Sequence, residues 1–418
     1  MNPGANPDAK QLKGIQMKKL TSLVALAAAG ALLLTGCGSG SSNTPSGSAG
    51  DTDAMKTCLT NAADTVSQGT SGNTSSTITP STGFAADATI GISLPQKTSQ
   101  NWVEAEGMFN KALPAAGFKS TVQFATNGVA DQQNEITAMI SQGVSVLVVG
   151  AIDGSQLGSQ LDAAKAAGIT VIAYDRLLTN TNSVDMYVAY DNYKVGQLQG
   201  QALLQGMLAT QGDPPYNIEL IAGSPDDANS KPFFDGAMSV IQPGLDCGAL
   251  TIPSGQNTQT QAATQGWLAA NAQKRMDTIL GNNYTDTTLN GILSPNDTLA
   301  RAALASLSSA GKSDEKTVIT GQDSETASIP LIMQGTQYMT IYKNTQGLVD
   351  EIVKIVQQLQ QGQPVTVNDT STYNNGVKVV PTDLLTPQVV TAANAADVYK
   401  NDTTREPCTQ TPVPASCQ

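Results

Sequence analysis

The sequence predicts an α/β protein built as two Rossmann-like lobes with parallel sheets. Three observations carry this. Short apolar strands alternate with segments of helical periodicity from about residue 87 to 400. Several strands are continuous apolar runs, as in sheets covered on both faces. That core is also too long for one sheet of this kind, so two lobes are the natural partition.

The elements follow in order. Residues 88–94 form a strand, 102–115 carry apolar residues at helical spacing, and 121–125 alternate like a strand. A helix containing 136–140 precedes the apolar run 144–149. A helix over 157–167 leads to a strand at 170–174. The alternation then restarts. Helices are expected at 195–208, 233–241, 262–280, 299–309, 329–334 and 347–361. The strands between them fall at 217–222, 250–252, 291–293, 317–320 and 338–342.

Composition narrows the chemistry. The chain has 418 residues, 34 acidic against 22 basic, and no histidine. A net charge of -12 makes phosphate backbones and anionic surfaces poor partners, so nucleic acid is not expected. Without histidine the commonest metal ligand and general base are missing, and neither a metal nor a cofactor is expected.

The amino-terminal region reads as an address. Lys18 and Lys19 precede a run of apolar and small residues from 20 to 35, too short for a comfortable membrane span. It ends in Leu34-Thr35-Gly36-Cys37, which resembles the lipobox of bacterial lipoproteins, with Cys37 as the lipidated residue. Residues 1–36 are then a signal peptide with an extension, Met17 being an alternative start. Residues 38–48 contain only Gly, Ser, Asn, Thr and Pro, suited to a flexible tether, and 37–86 as a whole reads as tether plus a short helix around Met55, Leu59, Ala62 and Val66. Cys58, Cys247, Cys408 and Cys417 are an even number outside the cytoplasm, which suggests disulfides. Residues 401–418 form a Pro/Thr-rich tail, expected to be stapled to itself or to Cys58.

The strand ends carry the functional signal, because ligands of open parallel sheets bind beyond the carboxyl ends of the strands. There lie Asp175-Arg176, the run from Gly223 through Asp227 to Asn229, Asn296-Asp297, Asp323 and Lys343, while the first strand leads into Lys97 and Asn101-Trp102. Carboxylates, amides and cations in one crevice suit a neutral polyol, whose hydroxyls both donate and accept. Trp102 and Trp267, the only tryptophans, could cover its apolar face. Each residue also has a structural reading. Asp297 would cap a helix, Asp227 could belong to a turn, and either Trp could be core. The repetition over several strand ends favours a site.

Ala173-Tyr174-Asp175-Arg176, Gly223-Ser224-Pro225-Asp226-Asp227, Ser294-Pro295-Asn296-Asp297, Gly321-Gln322-Asp323 and Ile341-Tyr342-Lys343 resemble motifs of bacterial D-xylose-binding and multiple-monosaccharide-binding proteins. The stretch from Asn374 to Pro381 and Leu384-Leu385-Thr386-Pro387 continue the resemblance. It implies a type I periplasmic-binding-protein fold with a three-crossing hinge. Lobe I would take 87–192 and 344–386, and lobe II 193–343 and 387–400. It also implies ligand contacts at Trp102, Asp175, Arg176, Asp227, Asn229, Trp267, Asn296, Asp323 and Lys343, with Lys97 fitting the multiple-sugar subgroup. Asn101 stands where the family usually has Arg, which bears on the choice of sugar.

The expected function is a monomeric, non-enzymatic monosaccharide receptor, lipid-anchored at the outer face of the cytoplasmic membrane. It would deliver an aldose resembling xylose, glucose or galactose to an ABC permease and ATPase. The alternatives are a sugar sensor docking on a membrane kinase, a glycoside-acting enzyme using Asp175 and Asp323, and a repressor effector domain, against which the export signal argues.

Overall fold

The computed structural model describes residues 49–66, 75–78, 83–97 and 99–417. The signal segment, Cys37 and the tether lie outside the described residues. Helix α1 (Ala49–Asp64) opens the described chain and strand β1 (Ser76–Ile78) follows. Then come β2 (Thr89–Leu94), α2 (Gln100–Ala115), β3 (Lys119–Phe124), α3 (Val129–Ser141), β4 (Val146–Val149), α4 (Gly158–Ala166), β5 (Thr170–Tyr174) and β6 (Met186–Tyr190).

The chain next builds a second body. It comprises α5 (Asn192–Thr210), β7 (Tyr216–Leu220), α6 (Ser230–Asp246), β8 (Leu250–Thr251), α7 (Gln259–Ala262), α8 (Ala269–Asn283), β9 (Gly291–Leu293), α9 (Asp297–Ser309), β10 (Val318–Ile319), α10 (Ile329–Met333) and β11 (Met339–Tyr342). It returns through α11 (Thr345–Gln360), β12 (Val365–Val367) and β13 (Thr382–Leu385), then β14 (Gln388–Thr391) and α12 (Ala395–Val398).

Lobe I is built on a parallel six-stranded sheet of order β13-β6-β5-β4-β2-β3. Its inner strands have two buried faces. Ile90, Ile92, Val146 and Val148 pack on one side with Phe109 and the apolar stripe of α11, while Leu147, Val149 and Val171 pack on the other with Ile136 and Leu161. Lobe II is built on a parallel sheet of order β10-β9-β7-β8 with its own core, and β11 pairs antiparallel with β14 beside it.

Two departures from the expected elements have physical causes. Strand β6 escaped the strand-helix alternation because it follows β5 through a loop containing no helix, yet pairs with it in parallel. The single helix expected over 262–280 is broken. Gly266 (φ 67°) and Trp267 (φ 55°) take left-handed backbone between α7 and α8. The antiparallel partners β1 with β12 and β11 with β14 were also unforeseen.

The cysteines join Cys58 to Cys247 and Cys408 to Cys417. The tail is therefore closed on itself, not on Cys58. The other bond fixes α1 to α6 of lobe II, where Leu59, Ala62, Ala63 and Val66 enter the lobe II core. Strand β1, which follows α1, pairs instead with β12 of the return segment, whose Val365 belongs to a lobe I core.

Candidate functional site

Each cleft residue is delivered by the end of a strand or the start of a helix. Asp175 and Arg176 follow β5, Asp227 and Asn229 follow β7, and Asn296 follows β9. Gln322 and Asp323 follow β10, and Lys343 follows β11. Asp175 (φ 60°) and Asp323 (φ 88°) both adopt left-handed backbone. Such strain in a non-glycine residue clusters at ligand clamps. The peptide N–H of Asp175 donates to Val188 O at 2.9 Å and that of Asp323 to Ile341 O at 2.9 Å, which fixes both turns.

These residues line a small cavity whose wall is made by Ser99, Asn101, Trp102, Asp175, Arg176, Asp227, Asn229, Phe233, Trp267, Asn296, Gln322, Asp323 and Lys343. All of the expected ligand residues except Lys97 are present. Lys97 lies off the cavity wall: its Nζ turns to Glu106 Oε2 at 3.1 Å and lies 4.3 Å from the Phe124 ring centre, half exposed.

Charge in the cavity is almost balanced. Arg176 Nε lies 2.9 Å from Asp227 Oδ2, joining lobe I to lobe II. The Arg176 guanidinium also donates to Ala151 O at 3.0 Å and sits 5.2 Å from the Trp102 ring centre. Lys343 Nζ lies 3.2 Å from Asp323 Oδ1 and 3.7 Å from Asp175 Oδ2. Burial pushes the carboxyls of Asp227 and Asp323 up, while Arg176 and Lys343 respectively pull them down. Burial disfavours the Lys343 charge, yet Asp175 and Asp323 hold its ammonium above the ordinary value.

Amides and indoles complete the walls. Trp267 Nε1 donates to Asp227 Oδ2 at 3.0 Å. Asn229 Nδ2 donates to Asp175 O at 2.9 Å, and its Oδ1 accepts from Asn192 Nδ2 at 2.9 Å, so this amide also joins the lobes. Asn296, not Asp297, caps α9: its Oδ1 accepts from the Leu299 N–H at 2.9 Å. Asp297 is fully buried beneath it, accepting from Glu325 N–H, Gln337 and Thr340, and burial with Glu325 nearby pushes it up to about 8.

Among the described residues, two cavity-lining oxygens, Asn101 Oδ1 and Gln322 Oε1, are buried without a hydrogen bond, and Asp323 Oδ1 has only the Lys343 ammonium at 3.2 Å, outside hydrogen-bond alignment. Burying such atoms unpaired costs roughly 1–3 kcal/mol each, so their gathering at one cavity marks where a polar ligand would repay the cost. Sequence reasoning did not single out Gln322, Ser99 or Phe233. Gln322 was visible within Gly321-Gln322-Asp323, whereas Phe233 reads as an ordinary core residue of α6 and Ser99 as a helix start.

Two α/β bodies linked by repeated chain passages, with a small polar cavity between them, define a ligand-clasping binding protein. The chain belongs to the periplasmic binding protein domain family, whose model matches residues 90–364. It is 43% identical over 315 residues to the multiple sugar-binding periplasmic receptor of Rhizobium radiobacter, covering 74% of this chain and 89% of that protein. It is 35% identical to the D-xylose-binding periplasmic protein of Escherichia coli, over 79% and 94% of the two chains. Among solved structures, an ABC transporter solute binding protein from Clostridium phytofermentans with bound β-D-glucose superposes with TM-score 0.71 at 34% identity, over 78% of this chain and 98% of that one. A carbohydrate transporter solute binding protein from Chloroflexus aurantiacus in complex with D-glucose gives TM-score 0.69 at 30% identity, over 78% and 98%.

Proposed function

We propose that the protein binds one neutral aldose, resembling xylose, glucose or galactose, between its lobes and delivers it to an ABC importer without chemical change. The observation that carries this is the pair of unpaired buried oxygens, on Asn101 and Gln322, beside Asp323 Oδ1, which only the Lys343 ammonium approaches, at a cavity flanked by Trp102 and Trp267. A polyol supplies the missing donors, and the indoles cover its C–H faces. Three carboxylates facing two cations give no surplus positive charge to hold an anion. The pairing of Asp175 and Asp323 with Lys343 supports fixed hydrogen-bonding roles over acid-base turnover. The sugars named for the relatives and bound in the structural neighbours point the same way, and the neighbours' description as transporter proteins favours import over sensing.

In this reading Asn101, Trp102, Asp175, Arg176, Asp227, Asn229, Trp267, Asn296, Asp323 and Lys343 contact the sugar, with Gln322 added. The lobes are joined by the three passages near residues 191, 343 and 386, and closure around sugar selects the form a permease recognises. Cys37 carries the lipid that keeps a monomer at the outer face of the cytoplasmic membrane, where the short tether raises its effective concentration at the permease. Calorimetry of the purified chain with xylose, glucose, galactose, arabinose, fucose and ribose tests the binding. Saturable heat and a raised melting temperature with one or a few of them are expected. Silence across the panel would sink the assignment.

A further inference from the structure

We propose that Arg405, carried on the segment after residue 400 just before the disulfide-closed loop that starts at Cys408, is a positioning residue that latches the two lobes shut and slows ligand escape.

Three contacts fix its guanidinium, which is 2% exposed. Nε donates to Ser324 O at 2.8 Å, one residue beyond cleft residue Asp323. One terminal nitrogen reaches Asp402 Oδ2 at 3.1 Å within its own segment. The other reaches Glu104 Oε2 at 2.9 Å, and Glu104 lies on α2 of lobe I, two residues past Trp102. The first two contacts stay on the lobe II side, and only the third crosses.

The segment holding Arg405 is itself seated on lobe II. Tyr399, Cys408 and Cys417 pack with Ile329, Tyr342 and Val390. The Tyr399 hydroxyl donates to Ser324 Oγ at 2.7 Å, and the Tyr342 hydroxyl to Asp402 Oδ2 at 2.7 Å. The Cys408–Cys417 bond closes the loop that follows Arg405, and both of its buried ends pack into this same cluster.

The lobe I side is equally prepared. Glu104 Oε1 accepts from Gln100 Nε2 at 2.7 Å, and Gln100 Oε1 accepts from the Thr326 N–H of lobe II at 2.8 Å. Both carboxylate oxygens of Glu104 thus serve a chain of contacts that crosses to lobe II twice, beside the start of the helix bearing Asn101 and Trp102. Moving the lobes apart breaks Arg405–Glu104 and Gln100–Thr326, while Ser324 and Asp402 stay with Arg405. The pair therefore favours the closed form selectively and acts on escape more than on encounter.

The kinetic part of this proposal rests on the sugar-binding reading; the closure part does not. The test uses the full chain with D-glucose as probe. Trp102 and Trp267, the sole tryptophans and both in the cleft, supply the stopped-flow fluorescence signal. Glu104→Gln and Arg405→Gln should each raise the off-rate roughly 10- to 100-fold and leave the on-rate within about threefold. The double variant should be no worse than the singles. Glu104→Gln, on the more exposed partner, covers the case in which Arg405→Gln fails to fold. Off-rates within twofold of wild type, with a lowered melting temperature in Arg405→Gln, would make Arg405 a packing residue only and overturn the latch. A wild type that ignores every sugar in the panel would defeat the sugar reading. Small-angle scattering of the ligand-free chain then decides the latch: expansion in Glu104→Gln upholds it, and superimposable curves overturn it.

Discussion

Gly223→Ala is a one-methyl probe of the cleft. A Cβ at Gly223 would lie 2.2 Å from Cη2 and 2.3 Å from Cζ2 of Trp267, and 2.5 Å from Ser230 Oγ. The Gly223 backbone is outside the left-handed region, so alanine is acceptable there and the effect is purely steric. The indole must retreat by more than about 1 Å to reach ordinary contact, which strains the 3.0 Å bond from Trp267 Nε1 to Asp227 Oδ2. A hydrogen bond to a charged group is worth ~1.5–3 kcal/mol, and losing the ring's contact with the ligand adds to that. We expect a total loss of about 2–4 kcal/mol, or roughly 30- to 1,000-fold in Kd. Calorimetry with glucose and xylose reads the affinity, circular dichroism verifies the fold, and a red-shifted tryptophan emission reports the displaced ring. A folded Gly223→Ala protein that binds sugar as wild type does would refute the role given to Trp267.

Other expectations follow from single contacts. Arg176→Ala leaves Asp227 buried without its cation and should weaken sugar binding by ~2–5 kcal/mol in calorimetry. Burial and the neighbouring Glu351 push Asp383 up to about 6. Its folded pKa is raised, so its contribution is full below the unfolded value near 4 and is lost as pH rises through about 6. Asp383→Asn should therefore stabilise the protein at pH 7.5 by on the order of 1 kcal/mol, since solvent screens this partly exposed group, with the gain shrinking toward pH 4 in thermal melts. Replacing Cys58 and Cys247 by serine opens a bond spanning 189 residues. It should cost ~2–4 kcal/mol in unfolding experiments while sugar affinity stays within twofold, since neither residue lines the cavity.

What could be read in advance followed from local rules. Asp175, Arg176, Asp227, Asp323 and Lys343 were legible because each closely follows an apolar strand, and the sheet topology gathers those ends. Lys97 obeys the same rule yet lies outside the cavity wall, because a flexible ammonium on a loop goes to a nearby carboxylate, here Glu106 on the next helix. The break at Trp267 had a signal in Gly266, an isolated glycine within a helical pattern, but periodicity outweighed it. Strand β6 was hidden by the absence of a helix before it. Arg405 had no local signal: its partner Glu104 lies 301 residues away, and its surroundings read as a Pro/Thr-rich tail.

If Cys37 carries the lipid proposed above, the bond between Cys58 and Cys247 gives the anchor a second covalent route to lobe II. A protease that cut between Val66 and Ser75 would then sever the main chain but not that route, because α1 stays attached through sulfur. The nicked molecule would remain in the membrane fraction and run as one species on a non-reducing gel. Only a reductant would shed it, leaving the helix behind with its lipid.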